Sequence, residues 1–395
     1  MRICICVNGR AHEGGVTSYI NSVCDGLRAE NHQVDVVSLF GISKYRETKN
    51  TFVEKSDKIL SGSPWKTLLV YALSKIIIGL RIFLYYPLKK WDIIFAQDTS
   101  VVNASRVARF LFKIPIILVV HGSVPLALIH QGKIQKGDPV WRLMVNEEKR
   151  AYQRVGAIIA NSTYTANCIS SICPEIKDIN IVRNLVNEKI FYPDPKAKND
   201  ERKKLKISPD VFVILFVGRL TELKGVVYLF TAFKKIAADQ RIILVYVGDG
   251  PEKSKLEDYI GKNELNNQVK ILGNIPYADV GRTYNIADVL VVPSITLGGV
   301  QEPLGIVALE GMAVGIPVIA FGVGGLKEII EDGYNGILIP EKDTDKLAQS
   351  ILEIKKNPAL AQKLIENGKK EIEENYTTKI VAQKLINIFQ KILSK

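Results

Sequence analysis

Two glutamates, Glu302 and Glu310, stand eight positions apart in EPLGIVALEGMAVGIPVIA, just after an apolar run ending in Val291, Val292, Pro293 and Ser294. The pattern reads as a strand, a glycine-bearing loop and a helix, with one carboxylate at the helix mouth and the other two turns in. At about 1.5 Å and about 100° per residue, the two would lie about 12 Å apart along the axis and about 80° apart around it. Acceptors so placed can hold the two ends of one elongated polar ligand. A sugar nucleotide is such a ligand, with hydroxyls on a hexose, hydroxyls on a ribose and a diphosphate between them.

A second constellation supplies the charge for that diphosphate. In VILFVGRLTELKG an apolar strand ends at Gly218 and Arg219, and Lys224 follows five residues later at the start of a helix. Cations at a strand's carboxyl end and at a helix N-terminus converge where open parallel sheets bind ligands. Arg219 can grip a diphosphate bidentately, and Lys224 supplies a compact charge that follows the leaving oxygens. Taken alone the two cations read more readily as surface charges; only the glutamates downstream reverse that reading. Gly14 and Gly15, in NGRAHEGGVTSYI, precede the first helix and let backbone N–H groups approach an anion, or simply make a tight turn. His121 follows the apolar run IPIILVV, which puts it at a strand's carboxyl end as a hydrogen-bond donor to a sugar hydroxyl or as a structural histidine. His12, His32 and His130 have no comparable setting.

Other chemistries find little support. Asp343-Thr344-Asp345 resembles a metal-holding Asp-x-Asp, but in PEKDTDKLAQSI it is better explained as a helix N-cap, so no metal site is expected. No Gly-x-x-x-x-Gly-Lys loop, Gly-x-Gly-x-x-Gly turn or Ser-His-Asp context occurs. Nothing resembles a helix-turn-helix, zinc finger or aromatic stacking motif, which argues against nucleic acid as a partner. The five cysteines form no metal-binding quartet, and Cys4 and Cys6 share one face of a strand as core residues. MRICICVNGR lacks the features of a secretory signal, so a cytoplasmic chain is expected.

The elements that must carry these residues alternate short apolar runs with helix-period segments over 395 residues, the pattern of parallel sheets covered by helices. Strands are expected at Ile3–Val7, Val34–Leu39, Ile93–Ala96, Ile116–Val120 and Ala157–Ala160. A second set follows at Val211–Val217, Ile242–Val247, Val269–Leu272, Val289–Val292, Pro317–Ala320 and Gly336–Ile339. Two sheets in series imply two Rossmann-like domains, 1–190 and 191–375, divided near the charged, proline-bearing stretch 191–210, with a terminal helix over 376–395.

Charge is uneven: 27 Lys and Arg stand against 17 Asp and Glu over residues 1–200, and 26 against 24 beyond. The basic first half suits an anionic membrane surface, an anionic acceptor or a merely solvated face. Leu68 to Tyr86 is strongly apolar, but Lys75 and Arg81 argue against a spanning helix. Helical spacing gives one stripe of Leu69, Ala72, Leu73, Ile76, Leu80, Phe83 and Leu84, expected to face inward, and an outer face with Tyr71, Lys75, Ile78, Arg81, Ile82 and Tyr85 that suits a lipid interface.

Taken together, GGVTSYI, VVHGS, IIANS, VGRLTELKG, YVGDGP and EPLGIVALEGMAVGIPVIAFGVGGLKEII resemble the retaining glycosyltransferases of family 4, which have the two-domain GT-B fold. The resemblance implies that Glu302 lies against the transferred sugar and that Glu310 binds the ribose hydroxyls. It implies further that the backbone of Leu304, Gly305 and Ile306 joins Arg219 and Lys224 on the diphosphate. The base is implied near Gly250 and Ile275, with Gly15 and His121 across a cleft and the terminal helix crossing back to the first domain. A nucleoside diphosphate sugar is then a co-substrate, no cofactor is needed, and the acceptor is lipid-linked or a saccharide. The insert ITLGGVQ between Ser294 and Glu302 departs from the family pattern and bears on donor-sugar specificity. A non-hydrolysing epimerase and a non-catalytic nucleotide-sugar-binding subunit remain the alternatives.

Overall fold

A computed structural model of the chain describes residues 1–8, 15–39, 41–43, 64–130, 134–303 and 305–394. Gly14, Leu304 and His12 lie outside these residues. The chain divides into two compact units: Met1–Arg183 with Lys379–Lys395, and Asn184–Thr378. The first unit thus closes at Arg183, ahead of the expected 190/191 boundary. The stretch 191–210 is part of the second unit: the helix Pro195–Lys204 seats Arg202, which is buried and bound to Asp288 and to the carbonyls of Ile286 and Val211. Its charge masked it as a linker, but an arginine can be buried where a carboxylate and carbonyls satisfy its guanidinium.

The first unit's sheet runs β3-β2-β1-β4-β5-β6-β7, where β1 is Arg2–Cys6, β2 Gln33–Ser38, β3 Gly41–Ser43, β4 Ile93–Ala96, β5 Ile116–Val120, β6 Ala157–Ala160 and β7 Ile179–Ile181. All neighbours pair in parallel except β3, which lies antiparallel on β2. The second sheet, all parallel, runs β10-β9-β8-β11-β12-β13, with β8 Phe212–Val217, β9 Ile242–Val247, β10 Val269–Ile271, β11 Val289–Val292, β12 Val318–Phe321 and β13 Ile337–Ile339. The eleven expected strands are all present within a residue or two. The two strands that were not expected, β3 and β7, are three-residue strands at the two edges of the first sheet.

Both sheets reverse direction once, between β1 and β4 and between β8 and β11. Crevices for ligands in such sheets form outside the carboxyl ends of the strands at this switch point, because the flanking loops there diverge to opposite faces. The central strands are buried on both faces, which is why they read as unbroken apolar runs. The terminal helix Thr378–Leu393 buries Val381, Leu385, Ile386 and Phe389, with Phe389 edge-on to Phe95 of β4 at 5.1 Å.

The helix Pro64–Lys89 corrects one expectation. Its buried residues are Ser74, Ile78 and Ile82, whereas Leu69, Leu73, Ile76, Leu80 and Leu84 are exposed, each by half or more. The expected inner and outer faces are therefore exchanged. The polar residues decide the orientation: Lys75 pairs with Glu147 at 2.8 Å and Arg81 donates to the Ser38 carbonyl, both on the protein side. At Gly79 a Cβ would stand 2.6 Å from the Ala104 carbonyl oxygen, so the helix approaches through its small residue. Periodicity finds a stripe, but the partners of the charged residues choose which side is in.

Candidate active site

In the second unit the site is assembled around the ends of β8 and β11. Gly218 and Arg219 follow β8 directly, and Arg219 is exposed, with no side-chain partner among the described residues. A short 3₁₀ turn, Glu222–Lys224, ends in Gly225 at φ 66°. A Cβ at Gly225 would stand 1.8 Å from the Pro293 carbonyl oxygen, so only glycine lets this turn lie against the end of β11. Ile295 N–H donates to the Leu223 carbonyl at 2.8 Å and fastens the contact.

This approach carries Lys224 to Glu302. Its ammonium donates to Glu302 Oε2, and Ser294 Oγ donates to the same oxygen at 3.1 Å. The Gly305 N–H bonds the carboxylate as well. Glu302 is only 5% exposed. Burial pushes its carboxyl up, but the Lys224 charge and hydrogen bond, with Ser294 and Gly305, outweigh it and hold the group below the ordinary carboxylate value. Glu302 is therefore an ionised carboxylate inside the protein.

The spacing of the two glutamates is realised differently from the helical estimate. The helix runs Ile306–Val314, with Gly305 before it at φ 56°. Pro303 and the left-handed Gly305 keep Glu302 outside the helix, so only the stretch from Ile306 to Glu310 follows helical rise. Glu310 is 6% exposed and accepts from the Tyr284 hydroxyl at 2.5 Å. Tyr284 is fully buried, edge-on to Phe191 at 5.4 Å; burial, then the Glu310 charge, pushes its hydroxyl well above the usual tyrosine range. Ile306 opens the helix as a buried residue, Gly250 sits in the loop after β9 beside the Leu220 carbonyl, and Ile275 lies half-buried beyond β10.

In the first unit, His121 follows β5 and its Nε2 lies 3.2 Å from Gln97 Oε1 beyond β4. The edge of its ring meets Tyr19 at 4.8 Å. Burial pushes the imidazole down to about 4, so it is neutral near pH 7. Its Nδ1, Tyr19 Oη, Thr99 Oγ1 and Asn161 Nδ2 are buried with no partner among the described residues. Asp98 accepts from the N–H groups of Asn8, at 2.8 Å, and Val101, at 3.1 Å; burial still leaves its carboxyl raised. Glu148, 1% exposed, accepts from Ser123 Oγ at 3.0 Å and Val124 N–H at 2.8 Å, and burial pushes it up to about 7. Gly15 begins the helix Gly15–Ala29.

The structure thus brings Lys224, Glu302 and Gly305 into one bonded cluster, while Arg219 lies exposed just after β8, without a side-chain partner among the described residues. Sequence reading missed Ser294, Tyr284, Gln97 and Glu148 as participants. Ser294 and Gln97 carried a signal, their places just after the buried strands β11 and β4; Tyr284 and Glu148 are single residues on ordinary amphipathic helices. Asp343 accepts from Lys346 N–H at 2.9 Å as a helix cap. Among the described residues no group of three His, Cys, Asp or Glu is placed to hold a metal.

Known proteins resemble this chain along nearly its whole length. Residues 13–189 match the Glycosyltransferase Family 4 model and residues 197–371 the Glycosyl transferases group 1 model. A glycosyltransferase of Methanocaldococcus jannaschii is 27% identical over 383 residues, covering 95% of this chain and 94% of that protein. The structure of a sucrose-phosphate synthase from Thermosynechococcus elongatus superposes with a TM-score of 0.79 at 21% identity, covering 100% of both chains. Anabaena HepE in complex with UDP-glucose gives 0.75 at 19% identity, covering 99% of this chain and 100% of that one. The two structural matches establish the fold, GT-B, and the two family models together take in most of the sequence: the chain belongs to the glycosyltransferases of group 1, family 4.

Proposed function

We propose that the chain is a retaining hexosyltransferase that moves a hexosyl unit from a nucleoside diphosphate sugar to a lipid-linked or saccharide acceptor. The observation that carries this is the buried, ionised Glu302 bonded to Lys224, with Arg219 exposed just after β8 and unpaired among the described residues. In this reading Arg219 and Lys224 hold the diphosphate and neutralise it as it leaves, supplying the charge that a divalent ion supplies in other transferases. Glu302 orients the sugar and tempers its developing positive charge, and Glu310 takes the ribose hydroxyls. Leu304, Gly305 and Ile306 offer backbone to the phosphates, Gly250 and Ile275 flank the base, and Gly14, Gly15 and neutral His121 serve the sugar side. The anomeric C–O bond to the β-phosphate breaks, the acceptor oxygen bonds on the same face, and its proton passes to the leaving diphosphate.

The acceptor is met at an anionic membrane surface, on its inner face. Supporting this, the exposed leucines and isoleucines of Pro64–Lys89 continue onto Val107, Phe110 and Leu111 of the helix Arg106–Phe112. The two helices join through Tyr86 and Phe112, stacked at 4.2 Å, and Arg106, Arg109, Lys89, Lys90 and Lys113 flank the apolar surface. Among the described residues no helix is long and apolar enough to cross a membrane. An apolar face with a basic border suits peripheral attachment, each basic residue adding about 1 kcal/mol at an anionic surface.

Thermal shifts with UDP, GDP and ADP, then with their hexose conjugates, name the donor; a ligand at 100 times its Kd stabilises by about 2.7 kcal/mol. Separate Glu302→Ala and Lys224→Ala replacements are expected to cut transfer about 10³-fold or more with the fold retained. Near-normal turnover in either sinks the reading.

A further inference from the structure

The insert ITLGGVQ is a built element. Leu297 and Val300 exchange both backbone hydrogen bonds, at 2.9 and 3.0 Å, around Gly298 and Gly299, whose φ angles are 55° and 82°. Two positive φ values between paired residues make the tight turn whose twist matches a hairpin, and here they require glycine. The base of this hairpin is bound on three sides. Thr296 donates its N–H and its hydroxyl to the two oxygens of Glu341, both at 2.7 Å. Gln301 Nε2 donates to Thr296 Oγ1 at 3.0 Å, and Gln301 Oε1 accepts from Gly324 N–H at 2.9 Å. The next N–H, that of Gly325, donates to the Glu302 carbonyl at 2.8 Å.

These bonds form one relay from the loop beyond β13 to the residue that meets Lys224. We infer that Glu341 is a positioning residue that, through Thr296 and Gln301, sets where Glu302 meets the donor sugar and so which hexose the site prefers. The inference rests on the donor-site reading of Glu302. Among the described residues Glu341 makes no hydrogen bond or ion pair with Glu302 or Lys224, yet its carboxylate fixes both donors of Thr296, which leaves the Thr296 oxygen free to accept from Gln301. Gln301 is then held at both ends of its amide, and Glu302, its chain neighbour, is held through its carbonyl. The relay is thus a means of tuning the sugar subsite that leaves the nucleotide side, Glu310 and Tyr284, untouched.

The test uses the full chain with Glu341→Ala, Thr296→Val and Thr296→Ser. Valine keeps the shape and the N–H of Thr296 but loses its hydroxyl, whereas serine keeps both bonds. Two readouts are taken: amide hydrogen exchange at Leu297 and Val300, and the affinity of UDP, GDP and ADP against their glucose, galactose and mannose conjugates. Glu341→Ala and Thr296→Val should speed exchange at least tenfold and shrink the discrimination among hexoses at least tenfold. The affinity for the bare nucleoside diphosphate should stay within twofold, and Thr296→Ser should restore the intact chain's ratio. Exchange and hexose discrimination within twofold of the intact chain in both disruptive variants overturn the inference. Equal losses for nucleotide and conjugate overturn it too, since they mean general loosening. If the intact chain binds no conjugate, the donor-site reading fails, and the exchange result still decides whether Glu341 holds the hairpin.

Discussion

The two sheets end in comparable loops but handle buried polar groups in opposite ways. At the edge of the second sheet the carboxylates are directly bonded: Glu302 by the Lys224 cation, Ser294 and Gly305, and Glu310 by the Tyr284 hydroxyl. At the edge of the first sheet the groups are pushed toward neutrality: His121 down to about 4, Glu148 up to about 7, and Asp98 raised. Four buried polar atoms there have no partner among the described residues. A paired, ionised cluster presents a fixed field that answers an anion without reorganising. Neutral donors and acceptors answer hydroxyls, whose hydrogen bonds need no counter-charge. The contrast sets a bonded, ionised carboxylate in the second unit against largely neutral buried groups in the first.

The sharpest way to break the contrast is to remove charge from the second unit. Lys224→Met leaves the Glu302 carboxylate buried without its cation, which costs about 3 kcal/mol, because a buried charge stripped of its partner keeps its full desolvation penalty. Adding Glu302→Gln should return most of that stability, since Ser294 and Gly305 can still donate to the amide oxygen. Transfer should stay abolished in both. Chemical unfolding of the single and double variants checks this; additive losses would mean the pair is not coupled.

A second test works on the neutral side, through pH. Folded His121 protonates near 4, against about 6.5 unfolded, so its stabilising contribution is present above 6.5 and is lost as pH falls toward 4. Folded Glu148 titrates near 7, against about 4.5 unfolded, so its contribution is present below 4.5 and is lost as pH rises through 7. Each full window amounts to about 3 kcal/mol at most, and between 4.5 and 6.5 the two slopes oppose and largely cancel. Glu148→Gln should therefore unmask a stability that climbs with pH up to 6.5. His121→Gln should unmask one that falls from 4.5 to 7. Melting temperatures that follow the intact chain across this range in both variants would show that neither group is buried as described.

The same contrast explains what the sequence made legible. The second unit's candidate residues were legible because Arg219, Lys224 and Glu302 are charges placed just beyond buried strands, and Glu310 is a lone carboxylate on an otherwise apolar helix. The first unit's site was not, apart from His121. Tyr19 and Glu148 sit on helices at positions any amphipathic pattern allows, and what distinguishes them is an unmade hydrogen bond or a raised pKa, both properties of the folded surroundings. The Pro64–Lys89 helix failed for a related reason: its stripe was visible, but its orientation depends on Glu147 and the Ser38 carbonyl, remote in sequence. The Pro195–Lys204 helix was hidden because its core residue is an arginine.

The smallest expected effect sharpens the division inside the second unit itself. Tyr284 donates to Glu310 from a fully buried position, so Tyr284→Phe removes one charge-assisted hydrogen bond with little change of volume. Such bonds contribute about 1.5 to 3 kcal/mol, and phenylalanine keeps the edge contact with Phe191, so a stability loss of about 1.5 kcal/mol is expected. If Glu310 anchors the ribose, loosening it should weaken the bare nucleoside diphosphate and its hexose conjugates by the same few-fold factor. The hairpin relay at Glu341 predicts the reverse, a change confined to the conjugates. Calorimetric titration of both variants with the same ligands separates the ribose end from the sugar end. A Tyr284→Phe chain that lost hexose discrimination but kept nucleotide affinity would place Glu310 on the sugar and undo that separation.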